Sequence, residues 1–415
     1  MLEVTPNGRY LQDKEGNPFF YMGDTAWELF HRLTLDEAKH YLETRADQGF
    51  NVIQAVLLAE FDGLTEPNRN GDLPFHDLDP TRPNEAYFAF VDEVIHYAES
   101  LGLIMGILPT WGDKVNKLWG AGPEVLNPEN ARIYGEWLGK RYRDFEPLLW
   151  INGGDRALDT EQHFATFRAL AAGLQAGDGG AHLITFHPMG GRHSSTDFHN
   201  EEWLAFNMIQ SGHGARDIDN AAMVEADYNR LPIKPTLDDE FNYENHAINW
   251  KPDTSRFRDY DVRKSAYRSL FAGACGLAYG CQDIWQFLDT SRHQPIAYAD
   301  TPWQEALHFS GAYQMMHLLS LMESLPFTTG APAQDRIVGE ANGVRVTAGE
   351  GYLLAYLPTG GEVTLNLKGL GSGEISWFDP RTGVTLGETE GEGTQIFTAP
   401  SQGLHNDWVL VFERE

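Results

Sequence analysis

Short apolar segments alternate with amphipathic helical segments up to about residue 325. The apolar segments are residues 19–23, 51–58, 103–109, 148–153, 183–187, 206–210, 234–240 and 277–285. A typical intervening segment, 34–49, has helical spacing of apolar residues, with Thr34 placed to cap its start and Gly49 to end it. Eight strands, each followed by a helix, predict an α/β protein whose strands close into a (β/α)8 TIM barrel. A doubly wound open sheet would also alternate, but no dinucleotide fingerprint follows the first segment.

The connections between these segments differ in length according to their direction. Those that lead from a helix into a strand are short, as in FEPL before the fourth strand. Those that leave the strands are long, namely 59–85, 110–129, 187–202 and 241–255. Because barrel enzymes build their sites from the loops after the strands, we expect the functional residues in these long segments.

The pattern changes near residue 326. Short segments with alternating apolar residues follow one another, and glycine-rich turns separate them. This pattern predicts a small antiparallel β-sandwich packed on the barrel. We therefore expect two domains, a barrel over residues 1–325 and a sandwich over residues 326–415.

The charge of the chain restricts its partners. The formal net charge is −29, so nucleic acids and anionic membrane surfaces would be repelled. The sequence has no run of about eighteen apolar residues, so no membrane span is predicted. The first residues, MLEVTPNGRYLQ, have neither the basic start nor the apolar stretch of a signal peptide, so we expect a cytoplasmic protein unless a signal has been removed. Cys275 and Cys281 flank one predicted strand, which would hold them too far apart to form a disulfide.

Two acids follow strands on opposite walls of the predicted barrel. Asp155 ends LLWINGGD after the fourth strand, and Glu240 ends KPTLDDE after the seventh. If about 5–5.5 Å separated their carboxyl groups, one could attack a glycosidic carbon while the other protonated the leaving oxygen. Either acid alone could equally cap a turn or form a structural ion pair. Asp238 and Asp239 compete with Glu240, and strict alternation places Asp238 on the same side as Glu240, one layer deeper.

Aromatic and polar side chains near strand ends are candidates for binding a sugar. Trp27, Trp111 and Trp285 could each pack an indole on the apolar face of a sugar ring, although core packing is as good an explanation for any one of them. Trp285 is the strongest candidate of the three. The polar and remaining aromatic candidates are Asp24, Gln54, Asn152, His187, Arg192, Gln210 and Tyr243. A negatively charged sugar would require a cation such as Arg192 or Lys114.

Metal and cofactor sites are not expected. His187, His193 and His199 recur at a spacing of six residues, which matches neither a helical pair of ligands nor a common zinc pattern. Motifs of serine hydrolases, zinc proteases and P-loop nucleotide-binding proteins are absent from the sequence.

Several segments together resemble the apiosidase-like barrel glycosidases of glycoside hydrolase family 140. They are YMGDTAWELFHRL, GFNVIQAVLLAE, LLWINGGD, ITFHPMGGRHSS and DDEFNYE, and the trailing domain around EISWFDPRTG resembles the collagen-binding type of sandwich that accompanies those barrels. The resemblance implies a retaining glycosidase with Asp155 as acid/base and Glu240 as nucleophile. It also implies a plant cell-wall substrate, such as apiose-bearing pectic side chains.

The chain departs from the wider clan of such barrels at one position. That clan usually has Asn-Glu after the fourth strand, whereas this chain has Gly154-Asp155. Because the Asp side chain is one methylene shorter than that of Glu, the backbone must come closer to the leaving oxygen. The glycines before Asp155 would permit that approach. Two alternatives stay open: a carbohydrate- or protein-binding module without catalysis, and a glucanase or galactosidase of the same clan.

Overall fold

The computed structural model describes residues 1–253 and 255–414. A small antiparallel sheet comes first, formed by β1 (Leu2–Val4), β2 (Leu11–Asp13) and β3 (Pro18–Phe19). The strands of the barrel are β4 (Tyr21–Thr25), β5 (Val52–Val56), β6 (Ile104–Leu108), β7 (Leu148–Gly153), β8 (Ile184–His187), β10 (Asn207–Gln210), β11 (Thr236–Asp238) and β12 (Gly276–Tyr279). The short β9 (Arg192–His193) pairs antiparallel with β10.

The barrel strands are parallel and form one curled sheet in the order β8-β7-β6-β5-β4-β12-β11-β10. The two ends of this sheet meet between β8 and the segment that enters β10. There the Ala205 N–H donates to the carbonyl of Ile184 over 2.8 Å, and the Thr185 hydroxyl donates to the carbonyl of Phe206 over 2.7 Å. The predicted α/β barrel fold is therefore confirmed. A few hydrogen bonds between β8 and the segment that enters β10 close the barrel.

Within the described ranges, ten α-helices accompany the strands: α1 (Leu29–Arg32), α2 (Leu35–Asp47), α3 (Glu85–Ser100), α4 (Pro128–Tyr142), α5 (Glu161–Asp178), α6 (Ser194–Phe198), α7 (Asn220–Tyr228), α8 (Asp259–Phe271), α9 (Trp303–Ala306) and α10 (Ser310–Glu323). Thr34 caps α2, as the sequence predicts, and it forms a capping box with Glu37. None of the described helices is long and apolar enough to cross a membrane.

The last barrel strand is shorter than predicted. The sequence suggested a strand through residue 285, but β12 ends at Tyr279. The Tyr243 ring packs on Gly280 so closely that a Cβ added there would lie 2.0 Å from the ring. The chain then turns, because the backbone N–H groups of Ile284 and Trp285 both donate to the carbonyl of Cys281. The prediction for the cysteines is confirmed, since both are buried free thiols.

The C-terminal strands are β13 (Ala331–Pro332), β14 (Arg345–Gly349), β15 (Tyr352–Leu357), β16 (Gly360–Asn366), β17 (Gly373–Phe378), β18 (Thr385–Gly391), β19 (Thr394–Gln402) and β20 (Trp408–Arg414). Six of these described strands form an antiparallel sheet, and β16 pairs with β19 in a second sheet. The predicted antiparallel sandwich is confirmed.

The sandwich packs on α8 of the barrel. The rings of Tyr267 and Tyr356 stack with centroids 4.9 Å apart. The buried Arg263 guanidinium donates to both carboxylate oxygens of Asp407, over 2.9 and 3.0 Å. A bidentate ion pair buried beside stacked rings indicates a fixed packing of the sandwich on the barrel.

Candidate active site

The carboxyl ends of the barrel strands surround a cleft of about 280 Å³. Asp155, which follows β7, and Glu240, which follows β11, both line this cleft. Their strands are separated by four strands in one direction around the sheet and by β8 and β10 in the other. The two carboxyl groups therefore reach one cavity from different walls.

Two glycines set the position of Asp155. Gly153 and Gly154 have φ angles of 100° and 116°, which L side chains rarely adopt. The Gly154 N–H donates to the carbonyl of His187, and the carbonyl of Gly154 accepts from the Gly112 N–H, each over 3.1 Å. A Cβ at Gly154 would lie 2.6 Å from the Gly112 nitrogen and 2.9 Å from the Trp111 ring. The glycines thus let the chain pass between two neighbouring loops and deliver Asp155 to the cleft.

Replacing Gly154 with Ala is expected to lower the free energy of unfolding by about 2 kcal/mol or more, because backbone strain and steric overlap add. Gly180→Ala is the matched control, since Gly180 also has a positive φ but no atom lies within 4 Å of an added Cβ. The control is expected to cost about 1 kcal/mol. Urea denaturation of both variants measures the difference. Equal losses would show that the contacts around Gly154 contribute nothing.

Glu240 is held by side chains on the floor of the cleft. Its carboxylate accepts hydrogen bonds from Gln210 Nε2 at 2.7 Å and from His213 Nε2 at 2.9 Å. A further donor, His187 Nε2, lies 3.1 Å away. Glu240 is itself buried. Its position is therefore determined by donors on both of its oxygens.

The neighbours of the two histidines determine their protonation. His187 Nδ1 lies 2.9 Å from the carbonyl of Pro188, and its Nε2 faces a carboxylate. Because a carbonyl and a carboxylate only accept, both ring nitrogens carry protons and His187 is a cation. His213 Nδ1 accepts the Tyr243 backbone N–H over 3.2 Å, so its ring carries the proton on Nε2.

These contacts move the pKa values of Glu240 and His187 in opposite directions. Burial alone would raise the pKa of Glu240, but hydrogen bonds from His187 and His213 hold it well below its ordinary value. Burial alone would lower the pKa of His187, yet the hydrogen bond to Glu240 and the charge of Asp239 raise it to about 9. At neutral pH Glu240 is therefore ionised beside a protonated histidine.

Asp155 has the opposite character. Burial, and next the charge of Glu240, raise the pKa of its carboxyl group against the opposing charge of Arg156. Asp155 Oδ1 accepts the Gly190 N–H over 3.1 Å, and Oδ2 lies 3.2 Å from Arg156 Nη1. Its side chain stays 24% exposed, so it can meet a ligand. The cleft thus contains one carboxyl group whose pKa is raised and one whose pKa is lowered.

A third acid, Glu60, lies near Asp155. Glu60 lines the cleft and accepts a hydrogen bond from Arg156 Nη2 over 2.5 Å, while Arg156 Nη1 points to Asp155. Burial raises the pKa of Glu60 to about 7 although Arg156 opposes this. Arg156 therefore donates hydrogen bonds to both acids and fixes the position of the Asp155 carboxyl group.

A family model for the apiosidase-like catalytic domain matches residues 5–329. The chain belongs to the apiosidase-like family. A second model, described as "Putative collagen-binding domain of a collagenase", matches residues 331–413 of this apiosidase-like chain. No curated protein sequence matches it.

The solved structures that resemble this apiosidase-like chain over its full length include two with the same sequence identity. One is a glycoside hydrolase with 32% sequence identity and a TM-score of 0.91, of which 97% is covered. The other is a glycoside hydrolase of family 5 from Bacteroides vulgatus ATCC 8482, also with 32% identity and a TM-score of 0.91, of which 93% is covered. The apiosidase-like chain is a glycoside hydrolase, and its substrate is a carbohydrate.

Five of the residues predicted to bind substrate line the cleft of this apiosidase-like enzyme: Trp27, Trp111, Gln210, Tyr243 and Trp285. Trp27 Nε1 donates to the Tyr243 hydroxyl over 3.0 Å, and the centroids of Trp27 and Trp111 lie 5.1 Å apart. Burial and the charge of Glu240 raise the pKa of Tyr243, which keeps its hydroxyl neutral. His187, a sixth candidate, lies beneath Glu240 as one of its donors.

Three predicted contacts are wrong because the side chains are buried away from the cleft. Asp24 points outward to α2, where it pairs with Arg45 at 2.8 Å. Asn152 is fully buried and points to the carbonyl of Phe167 on α5. Gln54 points into the barrel, but it is fully buried and donates to Asp239 below Glu240.

The predicted cations also lie elsewhere. Arg192 is exposed on β9 and does not line the cleft. Lys114 is fully buried, with Asp113 at 2.9 Å. Alternation also misplaced Asp238, which points outward and accepts hydrogen bonds from Asn220 and Ser269, while Asp239 is the acid beneath Glu240. Among the described residues, no group of three or more His, Cys, Asp and Glu is arranged to hold a metal ion.

Sequence reasoning missed several residues that line the cleft. They are Glu60, Phe61, Trp119, His213, His246, Trp250 and Gln282. Five of them lie in the long segments 59–85, 110–129 and 241–255, so loop length was the signal that could have identified them. Single residues could not be chosen there, because loop conformation depends on tertiary contacts.

Proposed function

We propose that the chain is a retaining glycosidase in which Glu240 is the nucleophile and Asp155 is the acid/base. One observation carries the proposal: two carboxyl groups line one cleft, and their pKa values are shifted in opposite directions. A pair of this kind divides the work of a nucleophile and a proton donor. The Asp155 side chain is partly exposed in the cleft and the pKa of its carboxyl group is raised, as a general acid requires.

In the first step, a Glu240 oxygen attacks the anomeric carbon and forms an ester bond to it. The bond from that carbon to the leaving oxygen breaks, and the leaving oxygen takes the proton of Asp155. In the second step, Asp155 takes a proton from water, whose oxygen attacks the same carbon. The ester bond breaks, and Glu240 recovers its charge while Asp155 recovers its proton.

The donors to Glu240 orient it for this attack. His187, His213 and Gln210 hold the carboxylate oxygens, and the His187 cation keeps the group ionised at neutral pH. The charge of His187 also makes the Glu240 carboxylate a better leaving group in the second step. These residues act through Glu240 and are positioning residues.

We propose plant cell-wall glycans as substrates, with apiose-bearing pectic side chains as the first to test. The apiosidase-like family model supports this choice, and the Trp27, Trp111 and Trp285 rings offer apolar surfaces for a sugar. A screen of para-nitrophenyl glycosides and pectic oligosaccharides identifies the sugar. Proton NMR of the first product gives its anomeric configuration, and an inverted product would contradict the retaining mechanism.

The pH dependence of kcat/KM for an unactivated substrate is expected to have its basic limb near pH 6. Asp155 must be protonated to donate, and its pKa is raised to about 6, so activity falls about tenfold per pH unit above that value. The acid limb lies below the ordinary range of a glutamate, because the pKa of Glu240 is lowered. Initial rates between pH 3 and pH 9, on the order of ten points, define both limbs.

Glu60 is the control for this profile, since burial raises its pKa to about 7 and it also lines the cleft. Glu60→Gln is expected to keep a basic limb. If the limb disappeared in Glu60→Gln, Glu60 rather than Asp155 would be the titrating group.

A further inference from the structure

A buried aspartate lies beneath the proposed nucleophile. Asp239 precedes Glu240 in the chain, and its side chain is fully buried. Its Oδ1 accepts a hydrogen bond from Gln54 Nε2. Its Oδ2 has no hydrogen-bond partner among the described residues, and it lies 3.9 Å from His187 Nε2. A buried carboxylate oxygen without a donor is uncommon in folded proteins, so the position of this oxygen calls for an explanation.

His187 lies between two carboxyl groups. Its Nε2 is 3.1 Å from Glu240 Oε2 and 3.9 Å from Asp239 Oδ2. The imidazole is fully buried, and the Trp27 and Trp111 rings pack against it with centroids 5.5 Å away. Because water cannot reach the imidazolium, its charge depends on the carboxylates beside it.

The first step of the proposed reaction removes one of these two negative charges. When a Glu240 oxygen bonds to the anomeric carbon, the carboxylate becomes a neutral ester. Asp155 is charged once it has given up its proton, but it is 24% exposed and lies beside Arg156, so solvent and this cation screen it. Asp239 is then the buried carboxylate that still faces the His187 cation.

We propose that Asp239 is a positioning residue that keeps His187 protonated while Glu240 is bound in the glycosyl ester. The inference rests on the proposed function, because Glu240 loses its charge in this way only if it is the nucleophile. No proton moves to or from His187 in either step. The carboxylate that departs in the second step therefore forms beside a cation that is already in place.

The surroundings of Asp239 favour its ionised form in the intermediate. Burial, and less strongly the charge of Glu240, raise the pKa of Asp239 to about 6, although the charge of His187 and the hydrogen bond from Gln54 oppose this. Formation of the ester removes the charge of Glu240 and leaves that of His187, so the pKa of Asp239 falls. Tyr21 also faces this group from β4, where its hydroxyl accepts from Gln54, and burial keeps it neutral by raising its pKa.

Glu240→Gln reproduces the charge of the ester, because an amide is neutral and has nearly the shape of a carboxylate. His187 keeps Asp239 as its partner in this variant. We therefore expect the pKa of His187 to stay above about 8, so that both ring nitrogens carry protons at neutral pH. NMR of protein labelled with ¹⁵N-histidine distinguishes the charged from the neutral ring. The signal that disappears in Glu240→Gln/His187→Gln identifies His187.

Glu240→Gln/Asp239→Asn removes both carboxylates. Burial then dominates, so the pKa of His187 is expected to fall below about 6.5, the ordinary value of a histidine, and the ring becomes neutral at neutral pH. Glu240→Gln/Asp238→Asn is the matched control. It makes the same substitution one residue earlier, at a carboxyl group that is equally buried but points outward to α7 and α8. His187 should keep both protons in this control.

Asp239→Asn alone gives a second readout, the pH dependence of kcat on a para-nitrophenyl glycoside. The first step needs no acid with this substrate, whereas the second step uses the His187 cation. Between about pH 6 and pH 8 the unmodified enzyme should lose no rate, but kcat of Asp239→Asn should fall about tenfold as His187 loses its proton. A purely structural effect of the substitution would lower kcat by the same factor at both ends of this range.

A neutral His187 in Glu240→Gln, or a protonated one in Glu240→Gln/Asp239→Asn, would overturn the inference while the proposed function stands. The measurement on Glu240→Gln leaves Asp239 unchanged, so it decides the inference even if Asp239→Asn does not fold. A loss of kcat in Asp239→Asn that is the same at both ends of the pH range would also overturn it. If Glu240→Gln stayed active, the proposed function would fail, and the role of Asp239 in the intermediate would fail with it.

Discussion

Glu240→Gln is expected to lower kcat/KM by on the order of 10⁴-fold or more on every substrate, including activated aryl glycosides. An amide cannot form the ester bond to the anomeric carbon, so neither a good leaving group nor a change of pH restores the first step. The substitution keeps the size of the side chain, and an amide oxygen in the place of Oε1 still accepts from both Gln210 and His213. Initial rates on a para-nitrophenyl glycoside and on a pectic oligosaccharide measure the loss.

Glu244→Gln is the matched control for this variant. Glu244 is also buried after β11, but it points away from the cleft, accepting from the Tyr279 hydroxyl at 2.6 Å and from the Gly311 N–H at 3.2 Å. It should keep full activity. The melting temperature of Glu240→Gln must also be measured, because the His187 cation loses its charged partner. A folded Glu240→Gln that still turned over aryl glycosides would remove Glu240 from the nucleophile position.

The barrel could be predicted because each strand is an apolar run between two helical segments. The parallel strands are covered on both faces, and this produces continuous apolar segments that stand out in the sequence. The length of the loops after the strands then indicated which end of the barrel carries the cleft. Asp155 and Glu240 follow from that reasoning, since each lies just beyond a strand end.

Burial of the strands on both faces also explains the errors within the strands. When both faces of a strand are buried, an apolar pattern cannot distinguish the inside of the barrel from the outside. Asp24 and Asn152 were therefore expected in the cleft, although they point outward to α2 and α5. Strict alternation failed at Asp238 and Asp239 as well, because β11 ends at Asp238 and the chain bends at Glu240.

The exposed tryptophans of the cleft were beyond sequence reasoning for another reason. Trp119 and Trp250 lie far apart in the chain, in two long loops without repeating patterns. Their positions depend on contacts with Arg156 and with the His213 and His246 rings, which only the folded barrel brings together. The two tryptophans form a pair because the fold brings them together, which their positions in the sequence do not reveal.

Asp155→Asn is expected to separate substrates by their leaving groups. An unactivated glycoside needs its leaving oxygen protonated, so kcat/KM on a pectic oligosaccharide should fall about 10²- to 10⁴-fold. A para-nitrophenolate leaves without a proton, so formation of the glycosyl ester should be nearly unchanged. The second step still lacks its base, so the ester should accumulate, and kcat and KM for the aryl glycoside should fall together. A burst of nitrophenol in stopped-flow measurements detects this accumulation.

Asp159→Asn is the control for Asp155→Asn, because it makes the same change four residues further along the same loop, where Asp159 is exposed and outside the cleft. It should leave both substrates unaffected. The amide introduced by Asp155→Asn has a single acceptor oxygen, so it keeps only one of the bonds that Asp155 receives from Gly190 and Arg156, and some loosening of the loop is expected. Loosening alone would lower kcat/KM for both substrates by the same factor, whereas loss of an acid lowers kcat/KM only for the substrate whose leaving group needs a proton. Equal losses on the two substrates would therefore contradict the acid role of Asp155.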